Sequence, residues 1–151
     1  MPKIIGFILA DDVMDTGPNS QQVTSLVNPR SVLRPQYVPS AFSFAFSISI
    51  RDIDLTSFKE LKLIIKDPKG NTIQDPITMN MEENPIPKDP SLPSDLVSFT
   101  ANVSVRNIPL EMNGIYQLNT YINDKQLEPQ EIPVFVRSTT FLDDKLKNGE
   151  N

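Results

Sequence analysis

The side chains of this chain that could do chemistry are mostly carboxylates, because the sequence contains no histidine and no cysteine. Without imidazole or thiol groups, the chain lacks the usual general base near neutral pH, serine-histidine-aspartate triads, cysteine nucleophiles and most zinc sites. It also lacks the phosphate-binding glycine loop and the short motifs of serine hydrolases and zinc peptidases, and it has only five glycines. We therefore expect a protein that is not an enzyme and that uses no cofactor.

Five aspartates could hold a hard cation. Asp11, Asp12 and Asp15 follow the first apolar run, and Asp52 and Asp54 follow the central one. If both loops lay at one end of the fold, these carboxylates could surround a calcium ion, which needs about six to eight oxygen ligands. The EF-hand spacing is absent, and solvated charges at strand ends explain the same residues. Binding of a small ligand or of calcium through these five aspartates is kept as an alternative function.

A second group of residues could contact a protein partner. The segment from Asn28 to Ser40 carries Arg30, Arg34 and Tyr37 but no acidic residue, although the whole chain has a net charge of −5. Arginine makes bidentate contacts and tyrosine supplies rigid contact area. The alternative is that local ion pairs merely hold this loop to the rest of the fold.

The segment from Glu82 to Asp95 is rich in proline. Pro87, Pro90 and Pro93 belong to overlapping PxxP units, which could bind an aromatic groove as polyproline II. A rigid connecting segment explains the same composition. The segments Asn28 to Ser40 and Glu82 to Asp95 are therefore both candidate partner-binding sites.

The stretch from Ala41 to Leu55 is the element that must position these residues. Its large apolar side chains alternate with serine and alanine, which is the period of a strand with one buried face; they are Phe42, Phe44, Phe46, Ile48 and Ile50. Further strands are predicted at Lys3 to Val13, Gln21 to Asn28, Glu60 to Lys66, Asn71 to Met79, Leu96 to Val105, Ile115 to Asn123 and Glu131 to Arg137. The sequence predicts an all-β, immunoglobulin-like antiparallel sandwich of about eight strands, with one domain at 1–137 and a polar tail at 138–151.

Two parts of the chain repeat one pattern. Ile48 to Leu55 aligns with Val103 to Leu110 at a constant offset of 55 residues. Each copy contains a strand, an arginine and a polar corner, and we expect each corner to bury its isoleucine or leucine while the arginine points outward. Two copies are too few for a solenoid, so the pattern predicts paired hairpins within one sandwich.

The pieces ADDV, IIKDPKGNTI and VRNIPLEMNGIYQLNTYIND together resemble a group of uncharacterised bacterial and phage proteins. The resemblance runs from about Lys3 to Arg137 and includes an Asp-Pro-x-Gly turn and a Gly-x-Tyr start to a late strand. It implies a small immunoglobulin-like β-sandwich. It implies no activity.

Charge, hydropathy and cysteine content indicate which kinds of partner and which compartment to expect. A sequence pI near 4.7 argues against nucleic acid, and no apolar run approaches the roughly 18 residues of a membrane helix. The absence of cysteine suits a reducing compartment, so we expect a cytoplasmic protein.

Together these observations predict a non-catalytic protein-binding module, encoded by a phage or mobile element and binding a host factor. Its contacts would come from loops Asn28 to Ser40 and Glu82 to Asp95 at one end of the sandwich. Edge pairing along Glu131 to Arg137 would assist binding, or would form a homodimer. A structural subunit of a larger assembly is a further alternative.

Overall fold

Two antiparallel sheets form the immunoglobulin-like β-sandwich that the sequence predicts. The computed structural model of the chain describes residues 1–16, 23–83, 90–91, 93 and 97–137. In these ranges the strands are β1 (Lys3–Thr16), β2 (Val23–Arg30), β3 (Ser40–Arg51), β4 (Glu60–Lys66), β5 (Ile77–Asn80), β6 (Ser98–Leu110), β7 (Gly114–Ile122), β8 (Lys125–Gln126) and β9 (Gln130–Val134). No helix in this described part is long and apolar enough to cross a membrane. The predicted tail at 138–151 lies outside the described residues.

The first sheet has the strand order β2-β1-β3-β6. The central strand β3 buries Phe44, Phe46, Ile48 and Ile50 on one face, which confirms the alternation seen in the sequence. Each buried side chain stabilises the fold by about 1.5–3 kcal/mol. We call the end of the sandwich that holds Arg51 the upper end and the opposite end the lower end.

The second sheet has the order β5-β4-β7, and both β8 and β9 pair with the other side of β7. Its inner face buries alternate residues of three strands against the first sheet, namely Leu61, Leu63, Ile65, Tyr116, Leu118, Ile122, Ile132 and Val134. The strand expected from Asn71 to Met79 is shorter than predicted and covers only β5. Thr72 makes only an isolated bridge to Lys66. The residues between Thr72 and the start of β5 at Ile77 therefore lack a continuous partner strand.

A parallel contact closes one side of the sandwich at its lower end. The N–H of Leu33 donates to the Pro133 carbonyl at 2.8 Å, and the N–H of Phe135 donates to the Leu33 carbonyl at 3.0 Å. The N–H of Arg137 continues this ladder to the Pro35 carbonyl. The expectation of a free edge along Glu131 to Arg137 is therefore wrong from Pro133 onward, because the chain's own segment occupies it.

Two tight turns follow from the residues that form them. In the Asp67–Gly70 turn, the N–H of Gly70 donates to the Asp67 carbonyl at 2.9 Å. Asn123 and Asp124 have φ values of 49° and 66°, the left-handed pair that a tight two-residue hairpin requires.

The repeated pattern is confirmed in its side chains but differs in its second corner. Asp52 and Asn107 both have left-handed φ, 61° and 54°, and Ile53 and Ile108 are both buried. Asp52 does lie where a strand ends. Asn107 lies within β6, at a bulge where the register with β3 shifts between Phe42 and Phe44.

Candidate interaction surface

The five aspartates do not come together. Because β1 runs antiparallel to β3, Asp11, Asp12 and Asp15 lie on the lower part of β1. Asp52 and Asp54 follow β3 at the upper end. Within the described residues, no group of three or more acidic side chains is arranged to hold a metal ion. The shared end on which the calcium hypothesis depended does not exist.

Each lower aspartate instead has a structural partner. Asp11 accepts two hydrogen bonds from Arg30, at 2.5 Å and 2.8 Å, and these bonds hold the pKa of the Asp11 carboxyl below its usual value. Asp12 lies 3.2 Å from the guanidinium of Arg106. Asp15 accepts a hydrogen bond from the Thr24 hydroxyl at 2.6 Å. These contacts tie β1 to β2 and to β6.

The upper end contains a cleft of about 330 Å³, bordered by the turn after β3 and the β7–β8 hairpin. Its apolar lining includes Ile53 and Phe58. Asp52 pairs with Arg51 at 3.5 Å. Asp54 accepts hydrogen bonds from the hydroxyl and the N–H of Thr56, which lower the pKa of its carboxyl. Both carboxylates that border the cleft are therefore paired with nearby residues, at the end of β3 or in the turn that follows it.

The predicted partner-binding residues of the first loop have different roles. Arg30 is occupied by Asp11, as the local ion-pair alternative supposed. Arg34 donates through Nη2 to the carbonyls of Val136 and Arg137, at 3.3 Å and 3.2 Å, and so fastens the chain after β9. Tyr37 is 60% exposed.

The two loops expected to act at one end join strands at opposite ends of the sandwich. The segment from Asn28 to Ser40 leads into the lower end of β3. Met81, which precedes the proline-rich segment, is hydrogen-bonded to Lys59 at the upper end. Pro90 and Pro93 are exposed, and Pro87 lies outside the described residues. The described residues that flank the proline-rich segment therefore lie at the other end of the sandwich from the start of β3.

A surface that the sequence analysis missed surrounds the lower end of β9. Ile115 and Phe135 are large, apolar and 40% and 47% exposed. Ile115 is opposite Pro133 in the β7–β9 register, so Phe135 is its diagonal neighbour on the outer face. Arg34 follows Leu33, which pairs with Val134, and therefore lies beside Phe135. The N–H of Arg137 donates to the carbonyl of Pro35, two residues before the exposed Tyr37, so Tyr37 borders the same area. We call the set Arg34, Tyr37, Ile115, Phe135 and Arg137 the lower-edge patch.

The backbone beneath the lower-edge patch is held by several contacts. The N–H of Val136 donates to Asn113 Oδ1 at 3.0 Å. The hydroxyl of the buried Tyr116 donates to the Met112 carbonyl at 2.9 Å, an arrangement known in immunoglobulin folds as a tyrosine corner. Alternation could have identified Ile115 and Phe135, since Ile115 directly precedes the buried Tyr116 and Phe135 directly follows the buried Val134. Their proximity depends on the register between β7 and β9.

The lower-edge patch has the chemistry of a binding surface. Aromatic and arginine side chains are enriched in protein interfaces, where they supply large contact areas and directed hydrogen bonds. The patch contains both types of side chain. It is suited to contact another molecule.

Comparisons with known proteins do not assign the chain to a family. No protein-family model and no curated protein sequence matches the chain. The chain is similar to the crystal structure of an immunoglobulin-like protein from Pseudomonas aeruginosa, with 14% sequence identity and a TM-score of 0.39. That alignment covers 89% of this chain and 97% of the other.

Proposed function

We propose that the protein is a non-catalytic binding module of the cytoplasm that contacts a protein partner through the lower-edge patch. The observation that carries this proposal is the exposure of Ile115 and Phe135, which are diagonal neighbours at the lower end of β9, with the exposed Tyr37 close by in the segment that pairs with the chain after β9. Large apolar side chains that remain exposed next to one another are typical of interaction sites. Because the backbone beneath them is already held in place, binding would lose little conformational entropy.

The charges of the patch indicate what the partner should offer. Arg34 and Arg137 form no ion pair with another described residue, although the chain as a whole is acidic. A partner that presents carboxylates beside an apolar surface would complement both arginines and the aromatic side chains. A bacterial host factor is the class of partner that the sequence resemblance suggests.

A quantitative pull-down tests this function. The wild-type chain is immobilised beside a Tyr37→Ser/Phe135→Ser variant, and bacterial lysate proteins retained by each are compared by mass spectrometry. Met14→Ser is the matched control, since Met14 is 52% exposed and lies on β1, in the other sheet from β7 and β9. Truncating a central interface residue costs about 2 kcal/mol or more of binding free energy.

The two outcomes are distinct. A partner retained by the wild type and by Met14→Ser, but lost from the patch variant, supports the proposal. Retention of the same proteins by all three, at equal melting temperatures, contradicts a role for the lower-edge patch.

A further inference from the structure

The upper half of β1 has an edge that no described strand covers. β2 pairs with β1 only from Leu9 to Thr16, whereas β1 begins at Lys3. From Lys3 to Ile8, therefore, β1 pairs with β3 on one side, and no other strand of the described ranges pairs with its second side. Such an edge presents backbone N–H and carbonyl groups to any extended chain that approaches.

A groove follows this edge. Two adjoining shallow depressions of about 570 Å³ and 430 Å³, both open to solvent, lie along it, and both are lined by Phe7 and Glu131. The opposite wall is formed by the segment from Glu128 to Glu131, which leads into β9. Ser31 borders the lower part of the groove, where the chain leaves β2. The groove extends from the end of β2 along the unpaired side of β1. It is long enough for an added strand of about six residues, which would span roughly 20 Å.

The outward side chains on this edge are apolar. Ile5 and Ile8 are 51% and 48% exposed. Edge strands that resist pairing usually carry charged side chains, and only Lys3 does so here. A bulge between Ile4 and Gly6 places the extra residue Ile5 on the surface. An added strand would remove both isoleucines from water.

The opposite wall determines the charge of the occupant. Glu128 and Glu131 are exposed and form no ion pair with another described residue. The nearest cation of the lining, Arg30, is already neutralised by Asp11. A second copy of the chain would bring the same acidic wall and a net charge of −5, so like charges oppose self-pairing.

We propose that this groove binds an extended segment of a partner protein in which apolar residues alternate with lysine or arginine. The segment pairs with the edge of β1 from Lys3 to Ile8 and adds a strand to the first sheet. Its apolar side chains cover Ile5 and Ile8, and its basic side chains face Glu128 and Glu131. This site is separate from the lower-edge patch, so either proposal can fail without the other.

Synthetic peptides provide the probe. The acetylated, amidated peptide Lys-Val-Lys-Ile-Lys-Val is titrated into the full chain, beside the matching peptide with glutamate in place of lysine. Affinity is measured by calorimetry, and amide hydrogen exchange of β1 is followed by NMR. We expect the basic peptide to bind about tenfold more tightly or better, and to slow exchange between Lys3 and Ile8.

Two variants locate the site. Ile8→Lys puts a charge on the free edge and should abolish binding of the basic peptide. Met14→Lys changes an equally exposed residue of the same strand where β2 already pairs, and should leave binding unchanged. Both substitutions are at exposed positions, and a thermal melt confirms that each variant is folded.

Several results would overturn the proposal. Equal affinity for the two peptides, unchanged exchange from Lys3 to Ile8, or equal losses in the two variants would each do so. A dimer seen by sedimentation that Ile8→Lys dissociates would identify a second copy as the occupant, and the proposed partner segment would be wrong.

Discussion

Removal of a single hydroxyl group, in Tyr116→Phe, tests the corner that holds the lower end of β7. The Tyr116 side chain is 1% exposed. Its hydroxyl donates to the Met112 carbonyl at 2.9 Å and accepts from the Met112 N–H at 3.4 Å. Phenylalanine fills nearly the same volume, so the substitution removes these hydrogen bonds without opening a large cavity.

The size of the effect follows from what remains after the hydroxyl is removed. A buried polar group without its partner costs about 1–3 kcal/mol. Met112 is only half-buried, so water can partly replace the hydroxyl, and we expect a loss of about 1–2 kcal/mol in the free energy of unfolding. For a chain of this length the melting temperature should fall by about 2–8 °C.

The pH dependence provides a second readout. Burial raises the pKa of the Tyr116 hydroxyl above its ordinary value of 10.0. As the pH rises above 10.0, the unfolded chain therefore releases this proton before the folded chain does. The free energy of unfolding of the wild type should fall in that range, and Tyr116→Phe should lack this part of the decrease. The difference between the two proteins should narrow at alkaline pH.

Urea titrations of the wild type, Tyr116→Phe and Tyr121→Phe make the measurement. Tyr121 is the matched control, since it lies on the same strand, is half-buried and has no hydroxyl hydrogen bond to a described residue. Its substitution should change stability by less than about 0.5 kcal/mol. Equal effects of the two substitutions, or a difference that stays constant above pH 10.0, would refute the reasoning about the corner.

Substitutions at three further positions test local geometry and charge. Gly114→Ala should cost about 1–3 kcal/mol in a urea titration, because φ is 142° and the new Cβ would lie 2.7 Å from Pro68 Cγ; wild-type stability would contradict this strain. Asn107→Ala should cost about 1 kcal/mol at its φ of 54°, whereas Asn107→Gly should cost almost nothing; equal losses would refute the backbone explanation. The pKa of Asp11 is lowered by its hydrogen bond to Arg30, so this pair should stabilise the fold above pH 3.8 and lose its effect as the pH falls further. Asp11→Asn should therefore show a weaker acid dependence in urea titrations between about pH 5 and about pH 2, and an unchanged dependence would exclude the pair as its source.

Much of the fold could be predicted because strand alternation is a local property. From Phe44 to Ile50, every second side chain points to the same face, so the inner face of β3 follows from the order of the residues. The Asp67–Gly70 turn and the Asn123–Asp124 hairpin are similarly local, because they depend on the φ values that a few residues allow.

Other elements could not be predicted because they depend on a partner strand. Asn71 to Met79 contains apolar residues at suitable positions, but only β5 finds a continuous neighbour in β4. Asn107 belongs to a sequence that matches the corner at Asp52, yet pairing with β3 continues past it and makes a bulge instead.

The candidate sites depended even more on long-range pairing. The sequence allowed the aspartates that follow two apolar runs to lie close together. Because β1 and β3 are antiparallel, Asp11, Asp12 and Asp15 lie toward the lower end, whereas Asp52 and Asp54 lie at the upper end. The edge expected to be free on β9 is covered by Leu33, whereas the upper edge of β1 has no described partner strand.

The amino-acid sequence by itself determined that the chain forms strands, where many of them turn, and that it has no imidazole and no thiol group. The tertiary structure alone decided which strand ends meet, which edges remain open and which exposed side chains become neighbours. The physical reason is the distance along the chain over which each interaction acts. Backbone dihedrals and side-chain alternation are set by adjacent residues, whereas strand pairing is selected by the hydrogen bonds and apolar burial of the whole sandwich.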